Sequence, residues 1–333
     1  MAKVVLFEVE DWEKRYIESA LSEYQPVLTE EKLEDSTVSK YQDAEVISTF
    51  IYSTLTKEIL DKLPNLKFIA TRSMGFDHID TSACKERGIV VSNVPTYGAH
   101  TVAEHTFALI LAVSRKIIPS VERAKKGDFS SIGLTGFDLF GKTLGVIGTG
   151  HVGKNVCELG LSFGMKVLAY CHSQDQELIT KGIKYVSLEE LLACSDVITL
   201  HLPHNHDTEH IINSQNIEKF RKGSILINTA RGALVETRAI LEGLEKGILA
   251  GAGLDVLEEE NTLKEEREFL ASEHIMKGDI QTELLDHILL NRDDVVITPH
   301  NAFNSIEALQ QILETSLGNI KNFLNGAPTN IVG

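Results

Sequence analysis

Three segments of the sequence place an ionisable side chain just after a short apolar run. They are "INTARGALVE" with Arg231, "GAGLDVLEEEN" with Asp255 and Glu260, and "VITPHNAF" with His300. Open α/β sheets bind ligands at the carboxyl ends of their strands, so these groups are candidates for one site. A guanidinium can bind a carboxylate through two hydrogen bonds, and an imidazole can donate or accept a proton. Taken singly, each group also fits a structural role, as a surface ion pair, a solvated loop or a structural histidine.

A glycine turn lies upstream of these segments. "GVIGTGHVG" carries Gly148, Gly150 and Gly153 in the spacing G-x-G-x-x-G, between the apolar run "TLGVIG" and the helical run "GKNVCELGLSFG". The first glycine permits a tight turn, the second lets the backbone approach a pyrophosphate, and the third brings helix and strand together. The phosphates then bind at the helix N-terminus. This context predicts dinucleotide binding, with a purely structural turn as the alternative.

The next strand, "KVLAY", is followed by an unusual residue. An acid at this position accepts hydrogen bonds from the ribose 2′-hydroxyl and repels a 2′-phosphate, which favours NAD over NADP. Here the position is Cys171. No Lys or Arg follows before Lys181, and Asp175 and Glu177 leave the loop negative. The sequence therefore predicts NAD as the cofactor, while Cys171 leaves room for NADP.

The elements that must position these groups alternate along nearly the whole chain. Short β-branched runs and helical patterns follow one another, which predicts an α/β fold with parallel sheets covered by helices on both faces. Two sets of runs predict two sheets, one for each domain. Between them, Thr101 and Glu104 have the spacing of a capping box at the start of a long helix. The charged stretch from Glu258 to Asp294 is predicted to be an excursion with one or two helices.

Composition narrows the class of protein. A chain of 333 residues can hold two domains, and 48 acidic against 32 basic residues, a net charge of -16, argue against nucleic-acid and anionic-membrane partners. The apolar runs are too short for a signal peptide or a membrane span, which predicts a cytoplasmic protein. The four cysteines show no metal-ligand spacing, so reduced thiols and no metal site are expected.

Together, and in this order, the motifs resemble the D-isomer-specific 2-hydroxyacid dehydrogenase family. The resemblance covers essentially the whole chain, through "TRSMGFDHID", "VPTYG", "VAEHT", "GTGHVG", "LHLP", "NTARG", "GLDVLEEE" and "TPH". It implies two doubly wound parallel-sheet domains. A Rossmann NAD-binding domain, residues 100–299, is inserted into a flavodoxin-like substrate domain formed by residues 1–99 and 300–333. The resemblance also implies a homodimer, with the long helix after Thr101 contributing to the contact.

The resemblance assigns the catalytic roles to Arg231, Glu260 and His300. Arg231 would bind the carboxylate of a 2-oxo acid and polarise its carbonyl, and His300 would exchange a proton with the substrate oxygen. Glu260 would bond the other ring nitrogen of His300. The implied substrate-binding residues are Met74 and Gly75, through their backbone N–H groups, with Tyr97, Arg231 and His300. The implied cofactor-binding residues are Gly148, Gly150, His151, Val152, Gly153, Cys171, Leu202, Pro203, Thr208, Thr229, Ala230, Arg231 and Asp255.

Aromatic residues near the expected site favour a compact, mostly apolar pocket. These are Tyr52, Tyr97 and Phe303, for which packing in the core is the alternative. Such a pocket suits a small 2-oxo acid, so the predicted reaction is the reversible NADH-dependent reduction of pyruvate to D-lactate. A glyoxylate or hydroxypyruvate reductase is the alternative enzyme. A dinucleotide-sensing, co-repressor-like protein is the alternative class, and it would bind NADH without reducing 2-oxo acids.

Overall fold

The computed structural model describes residues 2–258 and 280–332. Internal contacts divide the chain into a first unit, Met1–Gly98 with Ser305–Gly333, and a second unit, Ala99–Asn304. The strands are β1 Val4–Leu6, β2 Val27–Leu28, β3 Val46–Thr49, β4 Phe68–Thr71, β5 Val90–Ser92, β6 Thr143–Ile147, β7 Lys166–Tyr170, β8 Lys184–Tyr185, β9 Val197–Leu200, β10 Ser224–Asn228, β11 Leu249–Leu254, β12 Val295–Ile297 and β13 Ile331–Val332. The α-helices are α1 Asp11–Ala20, α2 Lys57–Asp61, α3 Thr81–Glu86, α4 Ala99–Ser114, α5 Ile117–Lys125, α6 His151–Ser162, α7 Gln176–Thr180, α8 Leu188–Cys194, α9 Thr237–Glu245, α10 Ile280–Leu290 and α11 Ile306–Leu324. Short 3-10 helices span Ser22–Tyr24, Val38–Tyr41, Ile217–Lys219 and Gly232–Leu234.

The second unit is built on a seven-stranded sheet in the order β12-β11-β10-β9-β6-β7-β8. All of these strand pairings are parallel. The chain starts at the central strand β6, adds β7 and β8 on one side, and then returns to add β9 and the later strands on the other. This order is that of a Rossmann fold, in which a crevice opens at the carboxyl ends of β6 and β9.

The first unit has a six-stranded sheet in the order β13-β5-β4-β3-β1-β2. Strands β1 to β5 pair in parallel, and β13, from the end of the chain, pairs antiparallel with β5. The order 2-1-3-4-5 is that of flavodoxin-like sheets. The predicted fold class is therefore confirmed for both units.

Successive residues of the central strands face opposite sides of each sheet, as the period of two requires. In β1, Val5 packs in one hydrophobic cluster, while Val4 and Leu6 pack in the cluster that contains helix α11. In β6, Val146 and Ile147 divide in the same way between two clusters. Each sheet is thus buried on both faces, which explains why these strands read as continuous apolar runs.

The predicted long helix is present, but its start differs from the expectation. Helix α4 begins at Ala99, two residues before Thr101, so the predicted capping box is wrong. Gly98, whose φ of 57° suits glycine, directly precedes the helix. The helix ends at Ser114, and Lys116 in the left-handed region separates it from α5.

The predicted excursion falls partly outside the described residues, which omit 259–279. Its later part forms α10. Among the helices of the described residues, none is both long enough and apolar enough to cross a membrane.

Candidate active site

The glycine turn connects β6 to α6 at the carboxyl edge of the second unit's sheet. Gly148 has a φ of 96°, and a Cβ there would lie 2.7 Å from the carbonyl oxygen of His201. A Cβ on Gly153 would lie 1.9 Å from the carbonyl oxygen of Gly148. A Cβ on Gly150, by contrast, would meet nothing within 4 Å. Gly148 and Gly153 must therefore be glycines, because a side chain at either position would clash with the protein's own backbone. Gly150 instead leaves open space next to the backbone.

That open space lies at the N-terminus of α6. The helix has 12 residues, and Gly150 at its N-cap offers no side chain to bond the first N–H groups, which belong to His151, Val152 and Gly153. Unbonded N–H groups and the positive end of the helix dipole favour an anion. The turn therefore fits the pyrophosphate of a dinucleotide.

Cys171 follows β7 beside this turn and is partly exposed. Burial acts to raise the pKa of its thiol, but hydrogen bonds from Thr149 and Ser173 outweigh burial and lower the pKa overall. Tyr185 donates a hydrogen bond to the hydroxyl of Thr149 at 3.0 Å, and the N–H of Asp175 donates to Tyr185 at 3.1 Å. The thiol thus occupies the end of β7 in a polar setting.

Lys154, in the first turns of α6, pairs with the acids that follow Cys171. Its Nζ lies 2.5 Å from a carboxylate oxygen of Glu177 and 3.3 Å from one of Asp175. The hydrogen bond to Glu177, with a smaller one to Asp175, holds the pKa of Lys154 above its ordinary value. Hydrogen bonds from Lys154 and then Lys181 lower the pKa of Glu177 to about 2. Both acids that follow Cys171 in this loop are therefore paired with the ammonium group of Lys154.

The loop after β9 carries the next predicted cofactor residues, Leu202, Pro203 and Thr208. Thr208 is buried, and its hydroxyl donates to the carbonyl of Pro203 at 2.7 Å and accepts from the N–H of Asn205 at 2.9 Å. Its hydroxyl therefore shapes the loop. Burial lowers the pKa of His201, at the start of this loop, to about 3, so its ring is neutral beside the glycine turn.

Thr229, Ala230 and Arg231 follow β10. The side-chain oxygen of Asn228 accepts the N–H of Ala230 at 3.0 Å, and its amide donates to the carbonyl of Arg231 at 2.8 Å. The Thr229 hydroxyl lies 2.9 Å from that of Thr106. The half-buried Arg231 side chain donates from Nη1 to the carbonyl of Ala230 at 2.7 Å. Asn228 thus shapes the segment that carries the guanidinium, a role the sequence analysis missed. A polar residue closing an apolar strand was the available signal.

Asp255 follows β11 and is 1% exposed. Its carboxylate accepts hydrogen bonds from the Thr298 hydroxyl and from the N–H groups of Asn301 at 2.7 Å and Ala302 at 2.9 Å. Burial acts to raise the pKa of Asp255, but these bonds and one from His105 outweigh burial and lower the pKa. The carboxylate therefore holds the segment after β12 in place. Its predicted contact with the carboxamide of the cofactor stays a prediction.

His300 lies in the segment that Asp255 holds. The N–H of His300 donates to the carbonyl oxygen of Asp255 at 2.9 Å, and its φ of 51° lies in the left-handed region. The imidazole is half-buried and meets the ring of Phe303 edge-on, with ring centres 6.4 Å apart. A residue other than glycine in this conformation is strained unless its surroundings fix it, and here the bonds to Asp255 do so.

The predicted acid Glu260 lies outside the described residues. Its neighbour Glu258 is described, and each of its carboxylate oxygens has a partner. One lies 2.6 Å from Nε2 of His210, and the other accepts the N–H of Thr237 at 2.8 Å. Both carboxylate oxygens of Glu258 are therefore bonded within the second unit. The role predicted for Glu260 stays a prediction.

Strand order brings the second unit's candidates to one edge of the sheet. β6, β9, β10, β11 and β12 are consecutive neighbours, and the glycine turn, Leu202, Arg231, Asp255 and His300 each follow one of them. In the first unit, Met74 and Gly75 follow β4, and Tyr52, which is 58% exposed, follows β3. Tyr97 of that unit is half-buried.

Within residues 2–258 and 280–332, no three His, Cys, Asp or Glu side chains form a group that could hold a metal ion.

Comparisons with known proteins agree with one another. The family model described as "D-isomer specific 2-hydroxyacid dehydrogenase, NAD binding domain" matches residues 107–302. A 2-hydroxyacid dehydrogenase homolog of Haemophilus influenzae is 34% identical over 97% of both chains. An aromatic 2-oxoacid reductase of Clostridium sporogenes is 38% identical over 83% of this chain and 82% of that protein. The crystal structure of D-lactate dehydrogenase from Aquifex aeolicus, complexed with NAD and lactic acid, superposes with a TM-score of 0.87 at 39% identity, covering 98% of this chain and 96% of that chain.

Proposed function

Because the chain belongs to the D-isomer-specific 2-hydroxyacid dehydrogenase family, an NAD-dependent family of oxidoreductases, we propose that it interconverts pyruvate and D-lactate. The observation that carries the choice of substrate is the similarity, over nearly the whole chain, to a D-lactate dehydrogenase complexed with NAD and lactic acid. The Arg231 and His300 segments at one sheet edge supply groups that this reaction needs.

Arg231 and His300 act on the substrate in this proposal. The planar guanidinium of Arg231 binds the carboxylate of the 2-oxo acid and polarises the adjacent carbonyl. The imidazolium of His300 donates a proton to the oxygen that becomes the hydroxyl, and the neutral ring takes that proton back in the reverse direction. We assign to Glu260, which lies outside the described residues, the role of accepting a hydrogen bond from the second ring nitrogen. Asp255 holds the His300 segment, because its carbonyl oxygen accepts the N–H of His300 and its carboxylate accepts the N–H of Asn301.

The remaining predicted residues bind rather than react. The N–H groups of Met74 and Gly75 bind the substrate carboxylate, and Tyr97 lines the pocket. The glycine turn and the N-terminus of α6 hold the pyrophosphate, and the residues after β9 and β10 hold the rest of the cofactor. When bound, the nicotinamide supplies or accepts the hydride.

The purified protein can be tested by following NADH oxidation with a panel of 2-oxo acids. With pyruvate, phenylpyruvate, 2-oxobutyrate, hydroxypyruvate and glyoxylate, we expect the highest kcat/KM for pyruvate and a product that is D-lactate by chiral chromatography. A clear preference for hydroxypyruvate or glyoxylate would replace the proposal by the reductase alternative. NADH binding without turnover of any acid would favour the co-repressor-like alternative.

A second candidate substrate class is the aromatic 2-oxo acids. It is favoured by the 38% identity to the aromatic 2-oxoacid reductase, which is close to the identity with the D-lactate dehydrogenase structure. The panel separates the two, because a pocket for an aromatic side chain gives phenylpyruvate the higher kcat/KM.

We also propose that the cofactor site prefers NAD over NADP, although Cys171 replaces the usual acid. A 2′-phosphate needs a cation near the end of β7, but Lys154 is paired with both Asp175 and Glu177. A 2′-phosphate would therefore have to compete with two carboxylates for one ammonium group. The preference for NAD over NADP is weaker than it would be with a carboxylate at residue 171, because a thiol repels a 2′-phosphate less strongly than a carboxylate does.

Cys171→Asp should increase the preference for NADH. A carboxylate beside the 2′-phosphate should lower kcat/KM for NADPH roughly tenfold, with little change for NADH. Cys194→Asp is the matched control, because Cys194 is an exposed cysteine at the end of α8. Steady-state kinetics with both coenzymes check the ratio. A ratio equal to that of the wild type would show that selectivity is decided elsewhere in the loop.

We further propose a homodimer formed through a surface that we call the 117–140 surface. Helix α4, expected at this contact, buries Phe107, Leu109 and Ile110 within the second unit. The following segment instead exposes large apolar side chains, which a second copy would cover. These are Ile117, Ile118, Val121, Phe129, Ile132 and Phe140.

Phe129→Asp with Ile132→Asp should convert the dimer to a monomer, because two charges would be buried without partners. The two side chains are 86% and 83% exposed, so the folded chain should tolerate the change. Light scattering after size exclusion would report the mass. Ile306→Asp, at a position that is 80% exposed in the first unit, is the control and should stay dimeric. A monomeric wild-type protein would contradict the proposal.

A cytoplasmic location, also a proposal, fits the four unbridged cysteines.

A further inference from the structure

The loop after β4, residues 72–75, holds its backbone carbonyl groups in fixed directions. The carbonyl oxygen of Ser73 accepts the N–H of Val94 at 2.9 Å, and that of Met74 accepts the side-chain amide of Asn93 at 2.7 Å. The carbonyl oxygen of Gly75 accepts the Ser73 hydroxyl at 2.6 Å. Three consecutive carbonyl groups are thus bonded within the first unit.

Bonding a carbonyl group also sets the direction of the next N–H. The two groups lie in one rigid trans peptide plane and point in opposite directions. The bond from Val94 to the Ser73 carbonyl therefore orients the N–H of Met74. The bond from Asn93 to the Met74 carbonyl orients the N–H of Gly75 in the same way. Neither N–H has a hydrogen-bond partner among the residues that the structure describes. The adjacent N–H groups of Met74 and Gly75 thus point away from the hydrogen bonds that hold the loop. Adjacent backbone N–H groups with this freedom can bind an anion together.

Asn93 is itself held by the end of the chain. Its N–H donates to the carbonyl of Asn330 at 3.1 Å, and its own carbonyl accepts the side-chain amide of Asn319, on α11, at 2.8 Å. The side-chain oxygen of Asn319 accepts from Asn330 at 2.8 Å and from Thr329 at 3.1 Å. Asn93 is 6% exposed and Asn319 is 1% exposed. Buried amides with these partners have little freedom to rotate.

We propose that Asn93, supported by Asn319, is a positioning residue for recognition of the substrate carboxylate. It acts through the Met74 carbonyl on the N–H of Gly75 and does not touch the substrate. The bond from Val94 is a backbone bond that no side-chain change removes, so Asn93 is the side chain that orients the Gly75 donor. The inference rests on the proposed function, in which these N–H groups bind a 2-oxo acid.

Asn93→Asp provides the test, because it keeps the shape of the side chain but replaces the donor by an oxygen that repels the Met74 carbonyl. We expect KM for pyruvate to rise about tenfold or more, the cost of misdirecting one hydrogen bond to a charged group. The contact is made equally in the ground state and the transition state, so kcat should change less than about threefold. The dissociation constant of NADH should not change. Asn65→Asp is the matched control and should keep the wild-type KM, because Asn65 is an exposed asparagine of the same unit whose side-chain amide also donates to a backbone carbonyl, that of Gln42.

A general loss of folding would lower the active fraction and kcat without raising KM, so the KM-to-kcat split separates positioning from stability. Oxamate carries the same carboxylate, so its inhibition constant should rise in parallel with KM.

If Asn93→Asp does not fold, Asn319→Ala should raise KM for pyruvate to a smaller extent. In the wild type, binding of oxamate with NADH should slow hydrogen exchange at the Met74 and Gly75 amides. A folded Asn93→Asp protein with unchanged KM, or unprotected amides, would overturn the inference. A wild-type protein that reduces no 2-oxo acid would instead overturn the proposed function.

Discussion

His300→Ala should lose nearly all 2-oxo acid reduction while the affinity for NADH is kept. Removing a general acid costs between about a hundredfold and ten-thousandfold in rate, and we expect a loss of about a thousandfold in kcat. NADH binding should survive because the groups proposed to hold the pyrophosphate lie at the glycine turn, on a different strand from His300. Stopped-flow turnover and a fluorescence titration with NADH measure the two quantities.

His300→Asn is the more stringent variant. The backbone at this position has a φ of 51°, which asparagine adopts more readily than alanine. This variant removes the imidazole and keeps the conformation that the bonds to Asp255 require. His287→Ala, in the last turn of α10 in the same unit, serves as the control and should keep full activity. Normal turnover by His300→Asn would remove this residue from the proton transfer.

Arg231→Lys should lower kcat/KM about a hundredfold although the charge is kept. An ammonium is a point charge and cannot make the two parallel hydrogen bonds of a guanidinium, and loss of one oriented donor costs a hundredfold or more. KM for pyruvate should rise because the carboxylate loses its bidentate partner, and kcat should fall because the carbonyl is less polarised. The Asn228 bonds to the backbone of this segment remain, so the loop should keep its shape.

Arg238→Lys is the matched control for this prediction. Arg238 lies on α9 and pairs with Glu242 four residues later, at an exposed position where lysine can replace it. We expect the control to be as active as the wild type. Near-normal kinetics of Arg231→Lys would mean that the guanidinium geometry is not used, and that a simple positive charge is enough.

Much of the architecture was predictable because its signals are local. Buried parallel strands are short continuous apolar runs, and the runs that end at Ile147, Leu200 and Asn228 all form strands of the second unit. The glycine spacing was equally informative, since Gly148 and Gly153 have no room for a side chain. The strands that the sequence did not indicate are β2, β8 and β13, each of two residues. Two residues are too few to show a period.

The start of α4 shows the limit of a local signal. Thr101 and Glu104 have the spacing of a capping box, yet the helix begins at Ala99. A side-chain cap is only one influence on where a helix begins, and here Gly98, in the left-handed region, directly precedes the first residue of the helix. A long apolar pattern indicates that a helix exists. The residue at which the helix begins depends also on the backbone conformation of the residues before it.

The residue types proposed for the chemistry, and the order in which they follow their strands, are fixed by the sequence itself: Arg231 after one apolar run, Asp255 after the next and His300 after the last. Only the tertiary structure decides that these runs are neighbours in the sheet, that the Asp255 carboxylate is occupied by the His300 segment, and that Asn93 meets Asn319 across 226 positions of the chain. A periodic pattern reports which face of an element is buried. It carries no information about which distant group completes a buried hydrogen bond, because that partner is chosen by the packing of the whole unit.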